Sequence, residues 1–545
     1  MSIFSIGLSG LNAAQNALNS TSNNISNVYT PGYNREVTVL GEGRGEGGVR
    51  VNDIQRQFNQ YVASQLNAAT SKSSALDAYR TQVDQIDSLL ADRDAGLAPL
   101  MQNFFSAMED LASAPSDPAA RQGVLGAADT LSAQFRSFDG YLQDMQDGIN
   151  GQIADEVTQI NNATEQLAGV NREIALARAR SGMAPNSLLN QRDHMVHELS
   201  ERLNVRLNIQ DGQTYNVTLP NGQPLVTGTN HYKLQAMNSP ADPQRTVLGY
   251  RDSGGNEVAL DEDLIAGGTL GGLMQFRSET LDKTQNQIGQ LAVSLTVELN
   301  AQHRLGTDLD GEQGGALFTF SEPQVYSNAR NSGDATATAS FDEADSSNLR
   351  ATDYTIRVVA DNPSGAGDFE VMRQETGERV DATLDGSTLS FGSVQVAFED
   401  LNTALQGDRF EVQPVRRGAA NMESAIRDLD KIAAAGSAGG TGNNENALRM
   451  QELQEQSLVG GSASFSGAYG SMVSDVGNRT NIVQVNLDAQ QGLTEQLQAV
   501  QQSESGVNLD EEAANLIRYQ QYYQANAKVI ETGRTVIDTI LGLRN

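Results

Sequence analysis

The start of the chain has no charged side chain before Arg35, and its apolar residues recur at helical spacing. Four of them are each seven positions apart: Phe4, Leu11, Leu18 and Ile25. This is the spacing with which one helix packs along another. Most other positions are Ser, Asn or Gln, which form hydrogen bonds without carrying charge. We predict a helix with a narrow apolar face that is weak in isolation and needs a partner.

A turn is expected directly after this helix, at Thr30-Pro31-Gly32-Tyr33. Pro31 fixes φ at the second turn position and Gly32 accommodates the positive φ of the third, which indicates a type II turn. The alternation of residues 36–40 then predicts a short strand. The glycine-rich stretch 41–48 predicts a flexible or extended link, and a helix is expected from Val49 onward.

The far end of the chain mirrors the start. A helix is expected from Leu509 to Leu543, and its acidic first turn, residues 510–512, complements the helix dipole. Apolar residues continue at helical spacing almost to the last position, including Leu516, Ile530 and Ile537. We predict that this helix is the intramolecular partner of the first one, so that the two ends of the chain lie together.

The longest periodic run begins at Val124, and its apolar residues alternate steps of four and three as far as Ile149. The pattern is disturbed at 153–157 and resumes to Ile174. An unbroken helix of about 50 residues would extend ~75 Å. Gly148 and Gly151 equally allow a break into two antiparallel helices. Further helices are predicted around 79–90, 99–111, 185–203 and 273–305. Their apolar faces suit either an ordinary bundle core or the binding of a partner.

Two stretches have the two-residue period of β-strands. Residues 205–219 alternate on either side of Asp211-Gly212, and Asn221-Gly222 follows, so hairpins are expected. Residues 331–415 alternate in the same way between turn signals. The proline-free tract from Val415 to Asn545 is predicted to be helical, with one flexible segment at 436–442.

The predicted fold class is therefore multidomain and mainly α, with coaxial N- and C-terminal helices, a long helical bundle domain and inserted antiparallel β domains. We expect four domains along the chain. A terminal helical domain combines 1–60 with 500–545. A helical rod domain combines 61–204, 263–330 and 416–499. A β excursion covers 205–262, and an inserted β domain covers 331–415.

Composition narrows the possible functions. The 545 residues include 37 basic and 68 acidic side chains, a net charge of −31. Nucleic acid and anionic membranes are unexpected partners because both need a positive surface. Absence of cysteine excludes disulfides and thiol-based zinc or redox chemistry. Neither a secretory signal peptide nor a membrane-spanning segment is indicated.

Candidate chemistry is sparse. His194 and His197 lie on one helical face, but a surface pair without metal is the better interpretation. The glycine-rich stretch 267–272 suits a tight entry into a packed helix better than a phosphate loop, because no Gly-Lys-Ser/Thr follows it. Residues 308–311 lack the ligands of a calcium loop, so a turn is expected. We predict no enzyme activity, no metal and no cofactor.

Both ends of the chain carry motifs that resemble those of the flagellar rod, hook and hook-associated axial protein family. At the start these are 9–13 (SGLNA), 23–27 (NNISN) and 30–33 (TPGY). At the end they are 506–512 (GVNLDEE) and 519–527 (YQQYYQANA). Segments 185–193, 267–277, 300–303 and 407–422 resemble the members that join hook to filament. The resemblance covers nearly the whole chain and is least secure in the β regions.

The resemblance implies a secreted structural protein of the extracellular flagellum, located between hook and filament and needed for filament assembly. It implies a ring of subunits as the self-assembled form. The other partners would be the flagellar hook protein, a second junction protein (hook-associated protein 3), and the type III export apparatus with its chaperone. Another axial protein, such as hook or distal rod, and a secreted adhesin using the β domains are the alternatives.

The expected assembly residues lie in the two terminal helices and the first turn. They are Phe4, Leu11, Leu18, Asn23, Asn24, Ile25, Asn27, Pro31, Gly32, Tyr33, Leu509, Leu516, Tyr519, Tyr523, Asn526, Ile530, Ile537 and Leu541.

Overall fold

A computed structural model describes residues 3–43, 47–92, 96–210, 214–252, 254–342 and 348–543. Its helices are long and lie mainly at the two ends of the chain and in the first half. They are α1 (Ile3–Ser26), α2 (Gln60–Leu90), α3 (Leu97–Ser113), α4 (Pro118–Ser181), α5 (Asn186–Arg202), α6 (Gly268–Phe276), α7 (Asp282–His303), α8 (Glu445–Glu452), α9 (Phe465–Ser505) and α10 (Leu509–Gly542).

The strands within the described ranges form six antiparallel sheets. The first two sheets in sequence order are the hairpin β1 (Glu36–Glu42) and β2 (Val49–Arg56), and the sheet β3 (Arg206–Gln210), β4 (Thr214–Thr218), β5 (Pro224–Thr227) and β6 (Asn230–His231). A third contains β7 (Leu234–Asn238), β8 (Thr246–Arg251) and β9 (Glu257–Ala259).

The later sheets belong to the second half of the chain. Strand β10 (Phe318–Thr319) pairs with β20 (Glu423–Ser424). A five-stranded sheet has the order β11 (Gln324–Ser327), β19 (Arg409–Gln413), β13 (Tyr354–Val358), β14 (Phe369–Arg373) and β15 (Arg379–Val380). A four-stranded sheet has the order β12 (Ala337–Phe341), β18 (Val394–Phe398), β17 (Thr388–Phe391) and β16 (Thr383–Asp385).

The molecule has two hydrophobic cores. The larger one follows α2 to α9 and includes the inner residues of β4, β5 and β8. The smaller one lies within residues 335–415 and also takes up Val293 and Val297 of α7. Helix α7 therefore carries apolar residues of both cores, which explains why it is buried on nearly all sides. The predicted fold class is confirmed; the division into four domains stays a prediction.

The long periodic run forms one unbroken helix. Helix α4 has 64 residues, which corresponds to ~96 Å at 1.5 Å per residue. Its buried stripe continues through Ile149, Ile153 and Val157, across the disturbed segment. Gly148 and Gly151 are on the exposed side, where a glycine weakens a helix by only about 1 kcal/mol. Burial of the stripe outweighs that cost, so the break that the glycines allowed does not occur.

Beside the segment at residues 34–35, the bundle contains four helices in a row. Helix α4 packs against α5, α5 also packs against α2, and α2 also packs against α9 along much of its length. No helix in the described ranges is long and apolar enough to cross a membrane.

Two predictions of local structure are wrong. Residues from Val49 form a strand rather than a helix, and they pair with residues 36–42 from Glu42↔Val49 to Glu36↔Arg56. Residues 415–444 form turns, the short strand β20 and a single 3-10 turn at Leu429–Lys431, and α-helix resumes only at Glu445. The carbonyl of Val415 lies so close to Gly289 of α7 that a Cβ there would be 1.7 Å from it. The secondary structure of residues 415–444 is therefore determined by contact with the helical core rather than by the absence of proline.

Other predicted turns have the expected form. The Asp211-Gly212 turn lies outside the described residues; the strands on either side of it, β3 and β4, pair in register, with Leu207 opposite Val217. Gly222 has φ +92°, and its N–H donates to the carbonyl of Leu219 at 2.9 Å. The glycines before α6 permit close packing, since a Cβ on Gly272 would lie 2.2 Å from the carbonyl oxygen of Ala75.

A buried ionic cluster connects the bundle with both β regions. The guanidinium of Arg416 contacts the carboxylates of Asp353, Asp242 and Asp282, the last two at 3.6 Å. Arg416, Asp242 and Asp353 are almost completely buried. Asp282 lies on α7 and also accepts from Arg245 at 2.8 Å. Burial raises the pKa of the Asp353 carboxyl, and Arg416 opposes that effect.

Candidate assembly interface

Helices α1 and α10 pack along each other through small residues. A Cβ on Gly7 would lie 2.8 Å from Cγ1 of Ile530, and one on Gly10 would lie 2.1 Å from Oδ1 of Asn526. The buried residues of α10 are Glu512 in its first turn and Gly533 in its C-terminal third, beside Ile3 and Phe4. Glycine at these positions lets the two backbones approach closely. The two ends of the chain therefore pair as predicted.

The face of α1 that is buried differs from the predicted one. The residues of the expected apolar seam, Phe4, Leu11, Leu18 and Ile25, are only half-buried. The fully buried face consists of Gly7, Gly10, Ala13, Ala14, Ala17, Ser20, Thr21 and Asn24. The heptad spacing identified the helix correctly. The smaller residues form the buried side because they allow the closest contact with α10 and the β1–β2 hairpin.

The predicted residues of α10 separate into two groups. Half-buried on the α1 side are Leu516, Tyr519, Tyr523, Asn526 and Ile530. Exposed are Leu509, Ile537 and Leu541, with 43%, 43% and 57% of their surface accessible. Neighbouring Ile517, Val536 and Ile540 are exposed as well, as are Ile3, Ile6 and Leu8 of α1. The paired helices thus leave a large apolar surface uncovered in the single chain.

The motif at residues 23–33 fixes the end of α1. The side chain of Asn24 is buried; its Nδ2 donates to the carbonyl of Glu36, and its Oδ1 accepts from the Glu36 N–H and from the Tyr33 hydroxyl. These three distances are 2.9, 2.9 and 2.8 Å in that order. Burial, followed by the charges of Glu36 and Glu512, raises the pKa of Tyr33. Asn24 therefore joins the helix to the β1–β2 hairpin.

The remaining residues of this motif form the turn. Asn23 and Asn27 are linked by a hydrogen bond from Asn27 Nδ2 to the Asn23 carbonyl at 2.9 Å. Pro31 is exposed. Gly32 has φ +73°, and the Tyr33 N–H donates to the Thr30 carbonyl at 3.2 Å, which agrees with the predicted type II turn.

Helices α1 and α10 and the β1–β2 hairpin form a terminal layer. Arg35 holds parts of this layer together and Arg56 connects it to the bundle; sequence reasoning missed both. Arg35 donates to Glu511 and Glu512 of α10, each at 2.8 Å, and its N–H donates to the carbonyl of Ser505. Arg56 contacts Asp193 of α5 at 2.5 Å. The available signal was the position of Arg35 as the first charged residue and the acidic triplet at the start of α10. The dipole of α10 alone therefore does not account for this triplet.

A cleft of about 990 Å³ lies beside these contacts, between the turn at 28–34, the beginning of α2, α5 and the end of α9. His194 and His197 line it. His197 Nδ1 is 2.9 Å from Asn67 Oδ1, and burial lowers the pKa of its imidazole. Within the described part of the chain, no three His, Asp or Glu side chains are placed to hold a metal ion.

Comparison with known proteins agrees with this architecture. Residues 83–318 match the family model described as the helical domain of the flagellar hook-associated protein FlgK. Residues 4–34 match the flagella basal body rod protein model, and 501–543 match the C-terminal model of the basal body rod FlgEFG proteins. The chain is 39% identical to flagellar hook-associated protein 1 of Salmonella typhimurium strain LT2, over 100% of both chains. The chain belongs to the flagellar hook-associated protein 1 family.

Two further proteins named as hook-associated protein 1 or FlgK are similar to this chain. Hook-associated protein 1 of Escherichia coli K12 is 39% identical, again over 100% of both chains. The solved structure of the flagellar hook junction protein FlgK from Burkholderia pseudomallei superposes with a TM-score of 0.74 at 27% identity. It covers 81% of this chain and 99% of its own. The match to rod-protein models is confined to the two ends, where the general axial motifs lie.

Proposed function

We propose that this chain is a non-enzymatic structural subunit of the bacterial flagellum that forms the junction layer between hook and filament. The observation that carries the proposal is the terminal layer, in which α1 and α10 are paired but leave an apolar surface uncovered. Membership of the hook-associated protein 1 family supports the location. Filaments would need this layer as their base.

The exposed apolar residues of the terminal layer are the proposed contacts between copies. Ile540, Leu541 and Ile517 each expose 57–59% of their surface, and Leu8 exposes 54%. Burying such a side chain stabilises an interface by roughly 1.5–3 kcal/mol. Much of the apolar surface of these two helices has no partner within the single chain, so we expect them to be disordered in the free monomer and ordered on assembly.

The partners follow from this position in the flagellum. A ring of identical subunits would contact the hook protein on one side and hook-associated protein 3 on the other. The polar, uncharged residues of α1 would face neighbouring subunits and the central channel. Export through the type III apparatus with a chaperone is part of the proposal, and a chain without cysteine suits travel as a reduced, unfolded polypeptide.

A truncation tests the mechanism. Deletion of residues 1–30 removes α1 but none of the apolar residues in the two main cores. The shortened chain should keep the circular dichroism and melting transition of the bundle, yet fail to join isolated hooks. The variant Glu375→Ala/Thr376→Ala, in the exposed turn between β14 and β15, is the control and should leave incorporation intact. Assembly of the chain lacking 1–30 would refute the mechanism.

A deletion strain tests the proposed position of this chain between hook and filament. Electron microscopy of cells lacking this chain should show hooks without filaments, and filament protein should be released into the medium. Loss of the hooks themselves would favour a hook or distal-rod function. Normal filaments with loss of surface attachment would favour an adhesin.

A further inference from the structure

The four-helix row near the terminal layer has two different outer edges. In the order α4, α5, α2, α9, each helix packs against the next. The end of α9 and the beginning of α5 lie at one level, because Ser505 and Asn190 contact the consecutive residues Arg35 and Asn34 at 2.8 Å each. The last turns of α4 adjoin the beginning of α5. The end of α4 and the end of α9 are therefore the two edges of the row at this level.

The α4 edge is basic and apolar. Arg172, Leu176 and Arg180 follow each other at four-residue spacing on one helical face, and Leu176 is 50% exposed. Met183, just beyond the helix, is 55% exposed. From 166 to 191 the charged residues are three arginines and one glutamate, a net charge of +2 within a chain of −31.

The arginines of this edge form no ion pair with any side chain that the structure describes. Among the described residues, no carboxylate forms an ion pair with Arg172, Arg178 or Arg180. Arg178 and Arg180 lie in the last turn, where a cation also complements the helix dipole. Arg172 lies two turns earlier, where the helix dipole has little effect. The dipole also does not account for the exposed Leu176 between Arg172 and Arg180.

The α9 edge has the opposite character. The C-terminal half of α9 packs against α2 on one side. On another side it exposes Leu493 and Val500, with 45% and 37% of their surface accessible. From 489 to 505 the charged residues are Glu495 and Glu504, a net charge of −2. Both edges therefore combine exposed apolar residues with a net charge of two, and the signs are opposite.

We propose that these two edges bind each other between neighbouring copies, so that the α4 edge of one subunit packs on the α9 edge of the next. This inference rests on the proposed ring of subunits and names a lateral contact at bundle level, separate from the terminal helices. Because the two surfaces differ, the contact is heterologous, and repeating it generates a closed ring or a helix of subunits. Opposite charges fix which edges meet and suppress the pairing of two identical edges.

Disulfide cross-linking tests the contact, and the natural chain contributes no cysteine of its own. The variant Leu176→Cys/Val500→Cys is assembled in cells, hook–filament particles are isolated, and a mild oxidant is added. A ladder of covalent dimers and higher multimers is expected. Each single variant should give none. Leu176→Cys/Leu448→Cys is the matched control, because Leu448 is an equally exposed leucine on α8 at 42% accessibility.

The outcomes separate the two proposals. Particles that contain the variant but show no ladder would overturn the lateral contact and leave the junction function standing. Particles that lack the natural chain altogether would overturn the junction function and this inference with it.

Charge reversal gives a second, independent measurement. Arg172→Glu/Arg180→Glu should lower the amount of chain in the particles at least about tenfold, since like charges then face each other. Glu495→Arg/Glu504→Arg in the same chain should restore it. Circular dichroism of the soluble chains serves as the folding control. Equal incorporation of the natural and reversed chains, or failure of the second pair to restore it in a folded chain, would overturn the proposal.

Discussion

Asp139 offers a quantitative test of how burial acts on the bundle. Its carboxylate is 6% exposed on α4, and Arg417 lies 3.1 Å away. Burial raises the pKa of the Asp139 carboxyl from 3.8 to about 6, although the Arg417 charge opposes the rise. A difference of about two pKa units corresponds to about 3 kcal/mol between the two protonation states. Burial therefore outweighs the ion pair.

The sign of the effect on stability follows from this shift. The folded chain binds the proton more tightly than the unfolded chain does. The stability that the protonated Asp139 carboxyl contributes is complete below about pH 4 and is lost as pH rises through about 6. At pH 7.5 the ionised group lowers the free energy of unfolding by up to about 3 kcal/mol relative to pH 4.

The variant Asp139→Asn should therefore stabilise the bundle at pH 7.5 by up to about 3 kcal/mol and have little effect at pH 4. Arg417 keeps a partner, because its Nη1 also donates to Gln143 Oε1 at 2.9 Å. Urea denaturation followed by circular dichroism at both pH values measures the change. Asp144→Asn, an exposed position on the same helix, should stay within about 0.5 kcal/mol at either pH.

The result that refutes this reasoning is a loss of stability in Asp139→Asn at pH 7.5. It would mean that attraction to Arg417 exceeds the desolvation of the carboxylate. An unchanged pH dependence of the variant would likewise show that Asp139 is not the titrating group.

Three further changes have defined outcomes. Arg416→Met leaves buried carboxylates without their cation and should lower the free energy of unfolding by about 3–5 kcal/mol at pH 7.5. Urea denaturation at lower pH should show that part of this stability returns, because Asp353 then takes up a proton. Lys431→Met should lower the melting temperature, because its ammonium lies 2.7–3.2 Å from three carboxylates, and added salt should restore part of the loss by screening their repulsion. Gly289→Ala places a methyl against the carbonyl of Val415, so soluble expression should fall sharply.

Matched controls distinguish these effects from general damage. Arg417→Met removes a more exposed guanidinium, 25% accessible, and should cost less than Arg416→Met. Lys528→Met breaks a single surface pair and should not alter the melting temperature measurably. Gly315→Ala meets no atom within 4 Å and should express normally. If a variant and its matched control had equal effects, the role assigned to burial or packing at that position would be contradicted.

The sequence by itself determined the helices and the partnership of the chain ends. Apolar spacing is a local property, so residues 124–174 indicated a long helical run, and the stretches before 33 and after 509 indicated two helices without partners nearby. Strand alternation and Asn-Gly turns placed the β regions for the same reason. End motifs such as 23–27 and 506–512 indicated the axial family.

Only the tertiary structure decided how those elements meet. It buried the small-residue face of α1 because Gly7 and Gly10 admit the neighbouring helix more closely than leucines can. It kept α4 unbroken because the apolar stripe stays covered on the far side from Gly148. It connected Arg35 to Glu512 across almost the whole chain length. Such contacts depend on distance in space, which the spacing of residues along the sequence does not record.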